Sequence, residues 1–211
     1  MAKLNPISDV ARQLTELLGA ADVQPDAGAA RYTTWRVGGV GGGQEAGESL
    51  VACALREARE ELSTPVVLRS SPLTYFEDLD LGSRRRVHRI NDPAPLLVQR
   101  RCNATPNRPF RDGLPIGPYL HLGLFLAHDP LDIAPGDDVS GLLFLPLECW
   151  PWLATTPPLQ AVLEHGARLI STQEPDPAVQ RLWVAPDESF HSVVALLLEH
   201  PRLLEEARGY W

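Results

Sequence analysis

Between Gly42 and Ser63 the chain reads G-G-Q-E-A-G-E-S-L-V-A-C-A-L-R-E-A-R-E-E-L-S, a glycine turn running into a helix-forming segment. Ser49 stands where a helix N-cap belongs, and Leu50 to Leu62 is rich in good helix formers. Glu57, Glu60 and Glu61 follow at i, i+3 and i+4, so a helix gathers them on neighbouring positions. Three like charges in one patch repel. Arg56 and Arg59 offset part of that repulsion, and a divalent cation held by carboxylate oxygens offsets it more directly. Val51, Leu55, Ala58 and Leu62 form one apolar stripe, expected to face the core with the carboxylates well away from it.

An E-x-x-E-E run alone is usually a solvated helix face, because glutamate is a good helix former. The spacing around this run sets it apart. Gly42, five residues, Glu48, seven residues, then Arg56-Glu57-Ala58-Arg59-Glu60-Glu61 resembles the signature of the Nudix hydrolases, G-x5-E-x7-R-E-U-x-E-E-x-G-U with U aliphatic. Gly42, Glu48, Arg56, Glu57, Glu60 and Glu61 match it, and Ala58 is a small stand-in for the first U. Ser63 and Thr64 depart from it, replacing the glycine and the aliphatic residue at its end. A glycine there would close the helix in a left-handed conformation, which serine adopts only at some cost. Pro65 offers a different stop, since it disfavours helix at Thr64.

The resemblance implies an α/β fold, an α/β/α sandwich with a mixed β-sheet. It also implies metal-dependent hydrolysis of a phosphoanhydride in a nucleoside diphosphate linked to another moiety. Mg²⁺ or Mn²⁺ is then held by Glu57, Glu60 and Glu61, with Glu48 reaching the metal from the turn or bracing the loop. Glu60, Glu57 and Arg56 make up the expected catalytic set: Glu60 is the first choice of general base, and Arg56 orients the glutamates by ion pairing. Gly42 and Gly43, with Gly38, Gly39 and Gly41 before them, suit close approach to a phosphate. The alternative from a different class is a catalytically silent Nudix-like module that binds nucleotides and regulates or docks.

Composition sets outer limits. A chain of 211 residues at 44% hydrophobic can bury a full core. A net charge of −8 argues against nucleic-acid or membrane-surface partners; the partner that the resemblance implies is a nucleotide-type small molecule. Cys53, Cys102 and Cys149 are odd in number and lack metal-ligand spacing, as expected of reduced thiols. With no signal-peptide-like start and no span-length apolar run, the expected location is cytoplasmic.

The organisation expected is an N-terminal helix and linker over 1–30, then one domain over 31–211. Ile7, Val10, Leu14, Leu17 and Leu18 give the helical stripe, and Gly19 to Ala30 the linker. Strands are expected at Arg31–Val37, Val66–Leu68, Leu96–Val98, Leu120–Leu126 and Leu142–Leu145, with a short one at Leu182–Val184. Helices are expected at Ala161–Gly166 and Phe190–Leu198. In the Nudix family a strand such as Pro95–Arg101 usually lies ahead of the box, where this chain has only a short, partly helical segment. The sheet is therefore completed differently, shared with a partner subunit in a homodimer, or trimmed.

Residues 81–118 read as a long insertion holding six prolines and eight of the nineteen Lys and Arg residues. Among its arginines, Arg84, Arg86, Arg89 and Arg100 are the candidates for gripping substrate phosphates through their planar guanidinium groups. The plainer alternative is a solvated loop whose arginines pair with surface acids. Asp137 and Asp138 read as a turn, and Glu148 as a secondary base candidate. The six histidines are dispersed. Trp150, Trp152 and Tyr119 are candidates for stacking on a base, and Trp35 for lining the same cleft.

Overall fold

The computed structural model describes residues 16–21, 33–88, 92–110, 112–128, 132–136, 139–172, 174–186, 188–200 and 203. In chain order it places β1 at Glu16–Ala21, β2 at Thr33–Gly39, α1 at Leu50–Leu62, β3 at Leu68–Arg69 and β4 at Thr74–Asp78. Then come β5 at Ser83–Val87, β6 at Leu97–Cys102, β7 at Tyr119–Leu124, β8 at Leu126–Ala127 and β9 at Gly141–Phe144. A 3-10 helix at Leu147–Thr155 leads to α2 at Leu159–Glu164, β10 at Arg168–Ser171, β11 at Gln180–Trp183 and α3 at Ser189–Glu199.

The strands form a mixed five-stranded sheet in the order β10-β9-β1-β2-β11, a mixed four-stranded sheet in the order β5-β4-β6-β7, and the small pair β3-β8. In the first sheet only β2 and β11 run parallel; in the second only β4 and β6 do. Alternation along β9 shows how the first sheet is buried. Leu143 joins a large cluster with Trp35, Val37, Trp150, Leu182 and the α3 residues Phe190, Val193 and Leu196. Its neighbours Leu142 and Phe144 point the other way, into a second cluster with Ala58 and Leu62 of α1 and with Val66 and Val139. The five-stranded sheet thus has α3 against one face and α1 against the other.

The second sheet is tied to α3 by a polar network rather than by apolar packing alone. Gln99 on β6 donates from Nε2 to Glu77 Oε2 (2.7 Å) and to Ser192 Oγ of α3 (2.8 Å). Arg84 on β5 donates to Glu77 at 2.6 Å and to Glu199 of α3 at 2.9 Å. Glu77 and Gln99 are buried, so these bonds replace water that is no longer available. Burial pulls the Glu77 carboxyl upward, but hydrogen bonds from Gln99, Ser192 and Arg84 outweigh it and leave it below its ordinary value.

Several expectations change. The helical stripe expected through Leu17 and Leu18 gives way to strand: Glu16–Ala21 pairs along its whole length with β2 and, at Glu16 and Leu17, with β9. Ile7, Val10 and Leu14 lie outside the described residues. Besides the expected strand before the glycines, β1 also precedes them, so a central place in the first sheet is filled from the same chain. The insertion expected at 81–118 contains two strands, β5 and β6, because β4 offers a pairing edge to each of them. On α1, Leu55 is exposed, and the buried positions are Cys53, Ala58 and Leu62. The helix is rolled so that Glu57 and Glu61 turn in beside that buried face instead of away from it. Helix α1 and its cap are as expected, with Ala52 N–H donating to Ser49 Oγ at 3.1 Å.

Candidate functional site

The site is built where the chain leaves β2, passes through Gly41–Gly43 and returns as α1. Arg56 is its hub. Its Nε and Nη2 donate to the two carboxylate oxygens of Glu48 at 3.0 and 3.2 Å, a fork-to-carboxylate geometry. Nη2 also reaches the Gly43 carbonyl at 2.9 Å, which pins the glycine segment to the helix. Nη1 lies 2.9 Å from both Glu57 Oε1 and Glu60 Oε2. Glu48 further accepts from the Glu45 N–H at 2.8 Å, closing the turn before the helix. Hydrogen bonding by Arg56, then by Glu45, holds the Glu48 carboxyl below its ordinary value, and the same Glu48 bonds raise the Arg56 guanidinium.

Glu57 and Glu61 meet the glycines directly. Glu61 Oε2 accepts the Gly41 N–H at 2.7 Å. A Cβ on Gly42 would overlap the Glu57 carboxyl, so only glycine lets the chain pass that close without moving the acid. Two carboxylates therefore lie against successive residues whose Cα atoms are ~3.8 Å apart. Glu57 is mostly covered, at 13% side-chain exposure, whereas Glu60 is open at 58%. One guanidinium thus faces three carboxylates, Glu48, Glu57 and Glu60.

The donor set, carboxylate oxygens alone, suits a hard divalent cation. Among the described residues no three His, Cys, Asp or Glu side chains converge on one ion position, since Arg56 and Gly41 draw the carboxylates to themselves. Glu57 and Glu61, against Gly42 and Gly41, and the open Glu60 between them along the helix, are the residues that could hold such an ion after modest side-chain rotation.

The far end of α1 is fixed by backbone. Ser63 takes the left-handed conformation at φ 54° and ψ 19°, so the chain keeps the helix ending of the resembling signature without its glycine. The Glu61 and Leu62 carbonyls accept from Gly136 N–H (2.8 Å) and Ala134 N–H (3.2 Å), satisfying groups the helix leaves free.

The predicted arginines are not brought together here. Arg84 is committed to Glu77 and Glu199. Arg100 is ion-paired with Asp78 and lies over the Tyr119 ring at 4.5 Å. Arg86 is exposed on β5, and Arg89 lies outside the described residues, as do Asp137 and Asp138. Arginines that do border the cleft beside the glycine segment are Arg36, paired with Glu188, and Arg101. Arg36 sits three residues before Gly39 at the end of β2, a strand-end position that could have singled it out. Trp35 and Trp150 are core residues, with Trp150 Nε1 bonded to the Leu145 carbonyl at 3.0 Å, so neither faces a ligand. Trp152 packs edge-on against His165, and Glu148 is exposed on the 3-10 helix. Tyr119, His121 and His128 line the cleft. The cysteines are free, and burial pushes the Cys53 and Cys149 thiols up.

No protein-family model, curated protein or solved structure matches the chain. Among the described residues no helix is long and apolar enough to cross a membrane.

Proposed function

We propose that the chain is a Nudix-type pyrophosphohydrolase with an α/β/α sandwich, dependent on Mg²⁺ or Mn²⁺ and cleaving a phosphoanhydride in a nucleoside diphosphate derivative. One observation carries this reading: residues of the signature that are far apart in sequence interlock, Glu48 with Arg56, Gly42 with Glu57, and Glu61 with the glycine segment. A solvated helix face needs none of these contacts. In this reading Glu57, Glu60 and Glu61 hold the cation, which when bound neutralises pyrophosphate charge and eases deprotonation of the attacking water. Arg56 keeps Glu48 and the Gly43 carbonyl in place, and Glu57 and Glu60, now paired with it, would be the acids to turn toward the ion. Glu60, the most exposed of the acids, accepts the proton of the attacking water.

The hold of Arg56 on Glu57 and Glu60 also favours a second reading, a silent nucleotide-binding module. Incubation with nucleoside triphosphates, dinucleotides and nucleotide sugars, with Mg²⁺ or Mn²⁺ and product detection by mass, separates the two. Cleavage that disappears in Glu60→Gln supports hydrolysis; tight binding without product across the panel supports the module.

A further inference from the structure

Beside the glycine segment runs a cleft of about 1080 Å³. One wall is the face of α1 that carries Leu50, Cys53, Ala54, Ala58 and Leu62, and the other is β7 with Phe125 after it. One feature keeps it open. The middle of the helix face presents cysteine and alanine, too small to fill the space that leucine or isoleucine would occupy. At the Leu50 end the walls draw together: a Cβ on Gly123 would lie 3.2 Å from the Phe125 ring and 3.4 Å from Leu50 Cδ1, so the space there is already taken. The lining follows α1 from Leu50 to Leu62, twelve steps at ~1.5 Å each, so the cleft is about 18 Å long. Gly41, Gly42 and Gly43 border the same space, and Glu61 and Glu57 touch the first two of them.

The shape and chemistry of this space restrict what can occupy it. A sugar or second nucleoside carries hydroxyl and amide groups that lose water on burial and need partners. The α1 wall is apolar apart from the Cys53 thiol; the polar lining groups Gln44, Arg101, Tyr119, His121 and His128 come from other segments, and Arg36 is already paired with Glu188. A hydrocarbon chain has no such requirement.

We propose that the cleft receives a long hydrocarbon chain carried by the substrate, so that the group linked to the nucleoside diphosphate is an alkyl or prenyl chain. This rests on the pyrophosphohydrolase reading, because the diphosphate at Gly41–Gly43 is what aligns the chain with the cleft. Hydrolysis would then add water across the P–O–P bond, giving a nucleoside monophosphate and the phosphate ester of the chain.

The probes are the methyl and octyl β-esters of ADP, titrated calorimetrically into the full chain with the metal chelated. The octyl ester is expected to bind at least about thirtyfold more tightly, a discounted return on its seven extra methylenes. Ala54→Phe, which fills the middle of the cleft, should reduce that ratio below about fivefold. Equal affinities for the two esters, no binding of either, or a ratio unchanged in Ala54→Phe would overturn the proposal. With Mg²⁺ added, AMP release is followed by mass. Octyl preference in binding without any AMP would keep the cleft assignment and sink the hydrolase reading. Turnover of both esters at equal kcat/KM would do the reverse.

Discussion

Ser63→Gly should make the protein more stable, although it removes atoms. Ser63 closes α1 at φ 54° and ψ 19° and is exposed. An L-residue held in the left-handed region costs about 1–2 kcal/mol relative to its preferred conformations. Glycine avoids that cost but brings back about 0.5–1 kcal/mol through its freer unfolded chain. The balance is a gain of about 0.5–1 kcal/mol. With a urea m-value of about 2–3 kcal/mol/M for a chain of this size, the unfolding midpoint should rise by about 0.3 M with m unchanged. Ser63→Ala keeps the Cβ and should give no gain. Thr156→Gly is an internal comparison, because Thr156 ends the 3-10 helix at φ 52° and is β-branched. A midpoint that stays put or falls in Ser63→Gly, at constant m, would refute the reasoning that serine is strained there.

Gly136→Ala should be much more damaging, because its Cβ would run into the backbone carbonyl of Glu60, which cannot rotate away. A loss of about 3 kcal/mol, read as a urea midpoint lowered by about 1 M, is expected. Glu77→Gln leaves Arg84 without its buried carboxylate and should cost about 3 kcal/mol on the same assay. It should also change the acid limb. The Glu77 carboxyl is lowered in the fold, so its contribution is full above its unfolded value near ~4.3 and is lost as pH falls through its folded value. Below about pH 4 the stability of Glu77→Gln should therefore fall less steeply than that of the native chain, by urea midpoints at successive pH values.

What could be read in advance was local. The Ser49 cap, the helix formers of Leu50–Leu62 and the spacing of Glu48, Arg56 and Glu57 are short-range features, and they fixed α1 and the acids around the glycine segment. What failed was long-range. Leu14, Leu17 and Leu18 have helical spacing, yet Glu16–Ala21 is strand because Gly39 to Thr34 on one side and Leu142 and Leu143 on the other supply partners. The partners of Arg84 depend on strand pairing, which sets Glu77 opposite it, and on Glu199 of a helix 115 residues away. The stripe through Leu55 was misplaced because the helix rolls to set Glu57 and Glu61 against glycines, a contact without hydrophobic periodicity. The cleft was invisible for a similar reason: Ala54 and Ala58 make it by what they lack.

The central claim is that acids of α1, gathered at Gly41 and Gly42, hold a divalent cation. Titration with Mn²⁺ followed by its EPR signal tests this without any substrate. The native chain should take up Mn²⁺, Mg²⁺ should displace it, and the double variant Glu57→Gln, Glu61→Gln should lose most of that uptake while remaining folded by circular dichroism. Uptake of Mn²⁺ that is the same in the double variant, or none in the native chain, would contradict it.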